Sequence, residues 1–110
     1  IDSGKQQLIK DMENQIKLFE DQEKKYQQML KKIDDIADKY LQLEAEIECS
    51  NMERTDEDRK KVVETISEIS YNEAKAKMMY RKTQEEKNKL INTLKEAYDL
   101  YETKNWIRRY

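Results

Sequence analysis

The chain has 110 residues, of which 42% are charged, with a net charge of -2 and a mean hydropathy of -1.19. This composition is too polar for a compact globule with a closed core, and the mixed charges give no general attraction to nucleic acid or anionic lipid. A typical disordered chain is also excluded, because there is one glycine, no proline and a regular apolar repeat. We therefore expect an all-α protein with a narrow apolar seam.

The first half of the chain predicts one amphipathic helix over about residues 5–49. With Ile9 at heptad position a, ten of the twelve a and d positions are apolar. The twelve positions are Ile9, Met12, Ile16, Phe19, Glu23, Tyr26, Leu30, Ile33, Ala37, Tyr40, Glu44 and Ile47. Between residues 29 and 47 the g column is apolar as well, at Met29, Ile36 and Leu43.

The repeat fails after Ile47, which predicts a connection over about residues 50–55. Ser50 and Asn51 are residue types at which a helix commonly ends, and Thr55 followed by three acidic residues is typical of a helix start. Thr55 and Asp58 have the spacing of a capping box, in which each side chain accepts a hydrogen bond from the other residue's backbone N–H.

The second half predicts another helix over about residues 56–106, in a register offset by one residue from the first. Nine of its twelve seam positions are apolar. They are Val62, Ile66, Ile69, Glu73, Ala76, Tyr80, Thr83, Lys87, Leu90, Leu94, Ala97 and Tyr101.

Two long helices joined by a short connection predict a single domain, residues 1–110, folded as a long antiparallel helical hairpin of the coiled-coil type. One alternative is a continuous parallel coiled-coil dimer, and another is a three-helix bundle with an extra break at residues 67–73. The parallel dimer would set Glu23, Glu44 and Glu73 each against its own copy, which is costly at seam positions.

Folding the chain back about residue 54 places opposite charges together instead. Glu23 is then expected near Thr83 and Lys87, and Glu44 near residues 59–61. A charged contact in an apolar seam penalises slipped alignments, so we predict that Glu23, Thr83 and Lys87 fix the register of the hairpin. The alternative is that these side chains only extend to water from a thin seam.

An apolar stripe three columns wide is typical of bundles of three or four helices. We therefore expect another helix to cover it, from a second copy of the chain in a four-helix dimer or from a different helical protein.

Two further segments are predicted interaction sites because of their residue types. Methionine adapts to varied partners, whereas Trp, Arg and Tyr are enriched at interface hot spots. The first segment comprises Met78, Met79, Tyr80 and Arg81, and the second comprises Trp106, Ile107, Arg108, Arg109 and Tyr110. For both segments the simpler interpretation is helix packing.

The residue types that carry common enzyme chemistry are missing from this sequence. It has no histidine, no glycine-rich phosphate loop and one cysteine, Cys49, so we expect no enzyme activity, cofactor, metal site or small-molecule substrate. The single cysteine favours a cytoplasmic or nuclear location. No stretch is apolar enough to span a membrane, and the first residues lack the apolar region of a signal peptide.

In composition the chain resembles the large class of long eukaryotic coiled-coil proteins. That resemblance implies an interaction or scaffold module, a fragment of a larger protein, in a cytoskeletal, kinetochore or tethering assembly. One alternative is a regulatory rod of the small-GTPase effector or exchange type. Another is a surface or secreted helical rod of a bacterium or parasite.

Overall fold

The computed structural model describes residues 3–50 and 53–108, and their side chains up to residue 100. Two long helices account for nearly all of this part of the chain: α1 spans Ser3–Cys49 and α2 spans Asp56–Arg108. There is no β-strand among the described residues. The prediction of an all-α chain with two long helices is thus confirmed.

The chain divides into two compact units, and both helices contribute to each. One unit combines α1 through Lys24 with α2 from Arg81 onward, and the other runs from Lys25 to Tyr80 and includes the connection. In the first unit Glu13 contacts Tyr98 and Glu23 contacts Lys87, so residue numbers fall along α1 as they rise along α2. The helices therefore run antiparallel there.

The second unit shows the same antiparallel order. Gln27 contacts Tyr80 and, nearer the connection, Glu44 contacts Arg54. This excludes both alternatives for the isolated chain: α1 and α2 do not form one continuous helix, and residues 67–73 lie within an unbroken α2.

The connection is defined by hydrogen bonds at the two helix ends. The Ser50 N–H donates to Glu46 O at 3.0 Å, and the Ser50 hydroxyl donates to Ile47 O at 2.7 Å, which satisfies carbonyls at the end of α1. At the start of α2, the Asp58 N–H donates to Thr55 Oγ1 at 3.2 Å and the Thr55 N–H donates to Asp58 Oδ2 at 3.3 Å. The predicted capping box is thus formed.

Replacing Thr55 with alanine should lower the free energy of unfolding by about 1 kcal/mol, because the first turn of α2 loses its side-chain acceptor. Urea unfolding followed by circular dichroism measures this change. Thr93→Ala is the matched control, since Thr93 is exposed inside α2, where alanine is the better helix former. An equal loss of stability in both variants would contradict a capping role.

The seam of the hairpin is thin. Ala76, which is 4% exposed, is the one buried apolar residue among the described side chains, and the buried polar residues among them are Glu23 and Thr83. The other seam positions predicted along α1 are half-buried. Burial along a long line of such positions holds the helices together, because isolated helices gain little stability in water.

The predicted seam is wrong at one position of α2. Ile66 is 42% exposed, whereas its neighbour Thr65 is half-buried. The half-buried positions Val62, Thr65, Ile69 and Glu73 are spaced by three, four and four residues, so the seam departs from the predicted register at residue 65 alone. The Thr65 hydroxyl donates to Lys61 O at 2.8 Å, so its polar group is satisfied at the edge of the seam.

Candidate interaction surfaces

The polar contact inside the seam joins Glu23 of α1 to Lys87 of α2. Lys87 Nζ lies 2.6 Å from Glu23 Oε1, and the two side chains are 20% and 12% exposed. Glu23 Oε1 is buried and accepts no hydrogen bond of good geometry, so this contact is an ion pair without angular alignment. Loss of Lys87 would leave a nearly buried carboxylate without its countercharge.

The register hypothesis requires Glu23 and Lys87 to lie close together, and they do. Thr83, one turn before Lys87 on α2, is 8% exposed and belongs to the same buried stretch of seam. The role of Glu23, Thr83 and Lys87 in fixing the register stays a prediction.

The ion-pair partner of Glu44 is Arg54. Glu44 Oε2 lies 2.5 Å from Arg54 Nη1, and both side chains are 17% exposed. Lys61, one of the residues expected near Glu44, lines the same groove. Arg54 precedes α2 in the connection, and its long side chain reaches back to α1. The pKa of Arg54 is raised, chiefly by the hydrogen bond to Glu44, so the guanidinium stays charged.

Two tyrosines of α2 make further contacts with α1 that the sequence analysis did not anticipate. Gln27 Nε2 donates to Tyr80 Oη at 2.9 Å, and the Tyr98 hydroxyl donates to Glu13 Oε1. The hydrogen bond to the Glu13 carboxylate, with desolvation second, raises the pKa of the Tyr98 phenol. The sequence signal for such a contact is a polar residue that lies one heptad column away from the seam, within reach of a tyrosine on the other helix.

The segment from Met78 to Arg81 is not one continuous patch. Met78 is 70% exposed and Met79 is 41% exposed, whereas Tyr80 is half-buried against α1. Arg81 is exposed. The helical turn therefore separates Met78, on the outside of α2, from Tyr80, on the side that faces α1.

The second predicted segment, Trp106 to Tyr110, lies outside the described side chains. The backbone of Trp106, Ile107 and Arg108 belongs to α2. Arg109 and Tyr110 lie outside the described residues.

The g column of α1 is the clearest exposed apolar surface. Met29, Ile36 and Leu43 are 48%, 56% and 56% exposed, although each lies beside the seam at seven-residue spacing. We call these three residues the α1 column. The third apolar column therefore faces solvent in the isolated chain, and the expectation that another helix covers it stays a prediction.

A line of lysines runs along the outer side of the α1 column. Lys25, Lys32 and Lys39 are all exposed and repeat every seven residues, each four residues before a member of the column. This line of lysines was not among the sequence predictions. The sequence signal for it is that three lysines and three apolar residues share the same seven-residue spacing on one helix.

Other kinds of site receive no support from the described residues. Residues 3–50 and 53–108 include no group of three or more histidine, cysteine or carboxylate side chains arranged to hold a metal ion. Within the same ranges, neither helix has a stretch long and apolar enough to cross a lipid bilayer. Cys49 is an exposed free thiol at the end of α1.

Comparison of the chain with protein-family models, curated proteins and solved structures finds no significant match.

Proposed function

We propose that the chain is a non-enzymatic interaction module that associates with other helices, both in a second copy of itself and in a partner protein. Such a module would serve as a scaffold in a cytoskeletal, kinetochore or tethering assembly in the cytoplasm or nucleus. A dimer of two hairpins would be a four-helix assembly. The observation that carries the partner-binding part of the proposal is the exposed α1 column.

The spacing of the α1 column favours a helical partner. Side chains seven residues apart form a nearly straight line along one helix, and a second helix covers such a line by fitting its own side chains between them. Full burial of a leucine, isoleucine or methionine side chain is worth roughly 1.5 to 3 kcal/mol. Three such residues, each about half exposed, offer a partner helix a substantial part of that free energy.

The line of lysines favours a partner with carboxylates. Lys25, Lys32 and Lys39 would flank any helix on the α1 column, and three like charges at this spacing repel a basic helix and attract an acidic one. A second copy bound antiparallel on this column would set lysines against lysines. The α1 column therefore suits an amphipathic helix of another protein, with apolar residues in heptads and glutamate or aspartate beside them.

Two synthetic helical peptides test this proposal. They share the same heptad leucines and differ only in the flanking positions, which are all glutamate in one and all lysine in the other. We expect the glutamate peptide to bind at least about tenfold more tightly at low salt, with the preference decreasing as salt screens the charges. Fluorescence anisotropy of labelled peptides measures both affinities.

Matched variants locate the binding surface. Ile36→Lys should abolish binding of the glutamate peptide, whereas Gln15→Lys, in the same heptad column but outside its apolar part, should leave it unchanged. Equal affinity for the two peptides, or equal effects of the two variants, would contradict the proposed partner chemistry.

A further inference from the structure

The side of α2 that faces away from α1 carries a second line of uncharged residues. We call these residues, all exposed, the α2 outer face: Val63, Ser67, Ser70, Tyr71, Ala74 and Met78. Tyr71 and Met78 each lie two residues beyond a seam position, Ile69 and Ala76, which is a rotation of about 200° around the helix. The α2 outer face is therefore separate from the seam and from the α1 column.

The α2 outer face has the properties of a helix-packing surface. Val63, Ser67, Ser70 and Ala74 follow one another at intervals of four, three and four residues, the spacing at which a second helix makes contact. Val63, Tyr71 and Met78 are 63%, 65% and 70% exposed. An uncharged line of this length is unexpected on the outside of a chain in which 42% of residues are charged.

The order of side chains along the α2 outer face is nearly the same in both directions. Large apolar residues lie at its two ends, Val63 and Met78, and small residues lie inside them, Ser67 and Ala74. If a second α2 helix packs antiparallel on the first, the large residues meet each other near the ends. Ser67 then meets Ala74, and Tyr71 of each copy comes opposite Ser70 of the other, at a helix axis separation of about 8 to 10 Å.

The flanking charges match under the same reversal. Glu64 and Glu68 lie beside the first half of the α2 outer face, and Lys75 lies beside the second half on the same flank. In an antiparallel helix pair the same flank of each helix meets its copy, so Glu68 comes opposite the Lys75 of a second copy. In a parallel pair opposite flanks meet and this match is lost.

A basic residue lies beyond each end of the α2 outer face. Lys60 and Arg81 continue the line beyond Val63 and Met78, and they would approach each other at the rim of an antiparallel pair. Their long side chains reach water there, so the repulsion is small. The contact is therefore limited to residues 63–78.

We infer that two copies of the chain associate through their α2 outer faces, antiparallel and about a two-fold axis near Ser70 and Tyr71. This inference rests on the self-association proposed above and identifies its interface. The two α1 columns then lie outside the contact between copies and stay available to partner helices. A dimer of this kind would present two binding surfaces of the same chemistry.

Sedimentation equilibrium over a range of concentrations tests the inference with matched variants. Met78→Lys should weaken dimerisation at least about tenfold, because it places a charge inside the apolar contact of both copies. Ile36→Lys, the same kind of change on the α1 column, should leave dimerisation unchanged. Circular dichroism of each variant shows whether the helices are retained.

A charge exchange tests the pairing of Glu68 with Lys75. Glu68→Lys and Lys75→Glu should each weaken dimerisation several-fold, and the double variant should recover most of the affinity. A double variant weaker than either single variant would contradict the antiparallel match.

Disulfide trapping tests the orientation of the two copies. In a Cys49→Ser background, an equimolar mixture of Ser67→Cys and Ala74→Cys chains should form mainly the mixed disulfide on mild oxidation, since the two sites meet only in an antiparallel pair. A parallel pair would give mainly the two symmetric disulfides instead.

The outcomes separate this inference from the proposal on which it rests. A chain that stays monomeric up to millimolar concentration overturns both the self-association and the interface. A dimer that is lost in Ile36→Lys but kept in Met78→Lys overturns the interface alone and leaves the proposed self-association intact.

Discussion

Reversing the charge of Glu23 should lower the free energy of unfolding of the hairpin by roughly 2 to 3 kcal/mol, because Glu23→Lys sets an ammonium group against Lys87 in a nearly buried contact. Adding Lys87→Glu restores opposite charges and should recover about half of the loss or more. Urea unfolding of the two single variants and the double variant measures the coupling. Glu20→Lys, at an exposed position one turn earlier, should change stability by less than about 0.5 kcal/mol.

A double replacement of Glu23 and Lys87 distinguishes an effect on the register of the helices from an effect on their stability. Replacing Glu23 and Lys87 together by leucine should leave the free energy of unfolding unchanged or higher, since two charges no longer have to be desolvated. If the pair determines the register, this double variant should also adopt slipped alignments of α1 on α2. If Glu23→Lys with Lys87→Glu is no more stable than Glu23→Lys alone, the ion pair has no role in alignment.

Enlarging Ala76 should be the second most damaging change. Ala76 is 4% exposed where α2 lies against α1, so Ala76→Leu adds three carbon atoms at a point without room for them. Overpacking of this kind typically costs 1 to 3 kcal/mol, and we expect about 2 kcal/mol here. Thermal or urea unfolding at fixed protein concentration measures the loss.

A matched substitution controls for helix propensity. Ala45 is exposed on α1, so Ala45→Leu makes the same chemical change where space is available and should alter stability by only a few tenths of a kcal/mol. An Ala76→Leu variant as stable as the original chain would show that α1 and α2 do not approach closely at this residue.

Much of the hairpin follows from residue spacing alone. Every heptad seam position of α1 from Ile9 to Ile47 is buried or half-buried, because an uninterrupted helix keeps a constant rotation per residue. The capping box of Thr55 and Asp58 was predictable for a similar reason, since its geometry depends on three consecutive peptide units. The contact of Glu23 with Lys87 required only the position of the bend.

The features that spacing did not predict depend on the path of the connection and on small shifts of register. Arg54 pairs with Glu44 because the chain turns before α2 begins, and no glycine or proline marks that turn in the sequence. Thr65 is half-buried at the seam where Ile66 was expected. Isoleucine is the more hydrophobic of the two residues, but Thr65 is the one on the side of α2 that faces α1.

The exposed surfaces were also partly predictable from residue spacing. Met29, Ile36 and Leu43 were identifiable as an extra apolar column, since a third column adds width that two helices do not need. The sequence did not reveal on its own that α2 has an uncharged line facing away from α1. Finding this line required knowing which side of α2 packs on α1, and therefore which side of α2 stays exposed.

The chain reverses direction between Cys49 and Asp56. Spin labels at Asn14 and Lys95, in a Cys49→Ser background diluted with unlabelled chain, measure this within one molecule by pulsed electron paramagnetic resonance. Antiparallel helices with axes 8 to 10 Å apart predict a label separation of roughly 20 to 30 Å. An uninterrupted helix would place the labels about 120 Å apart, and the absence of any short distance would contradict the hairpin.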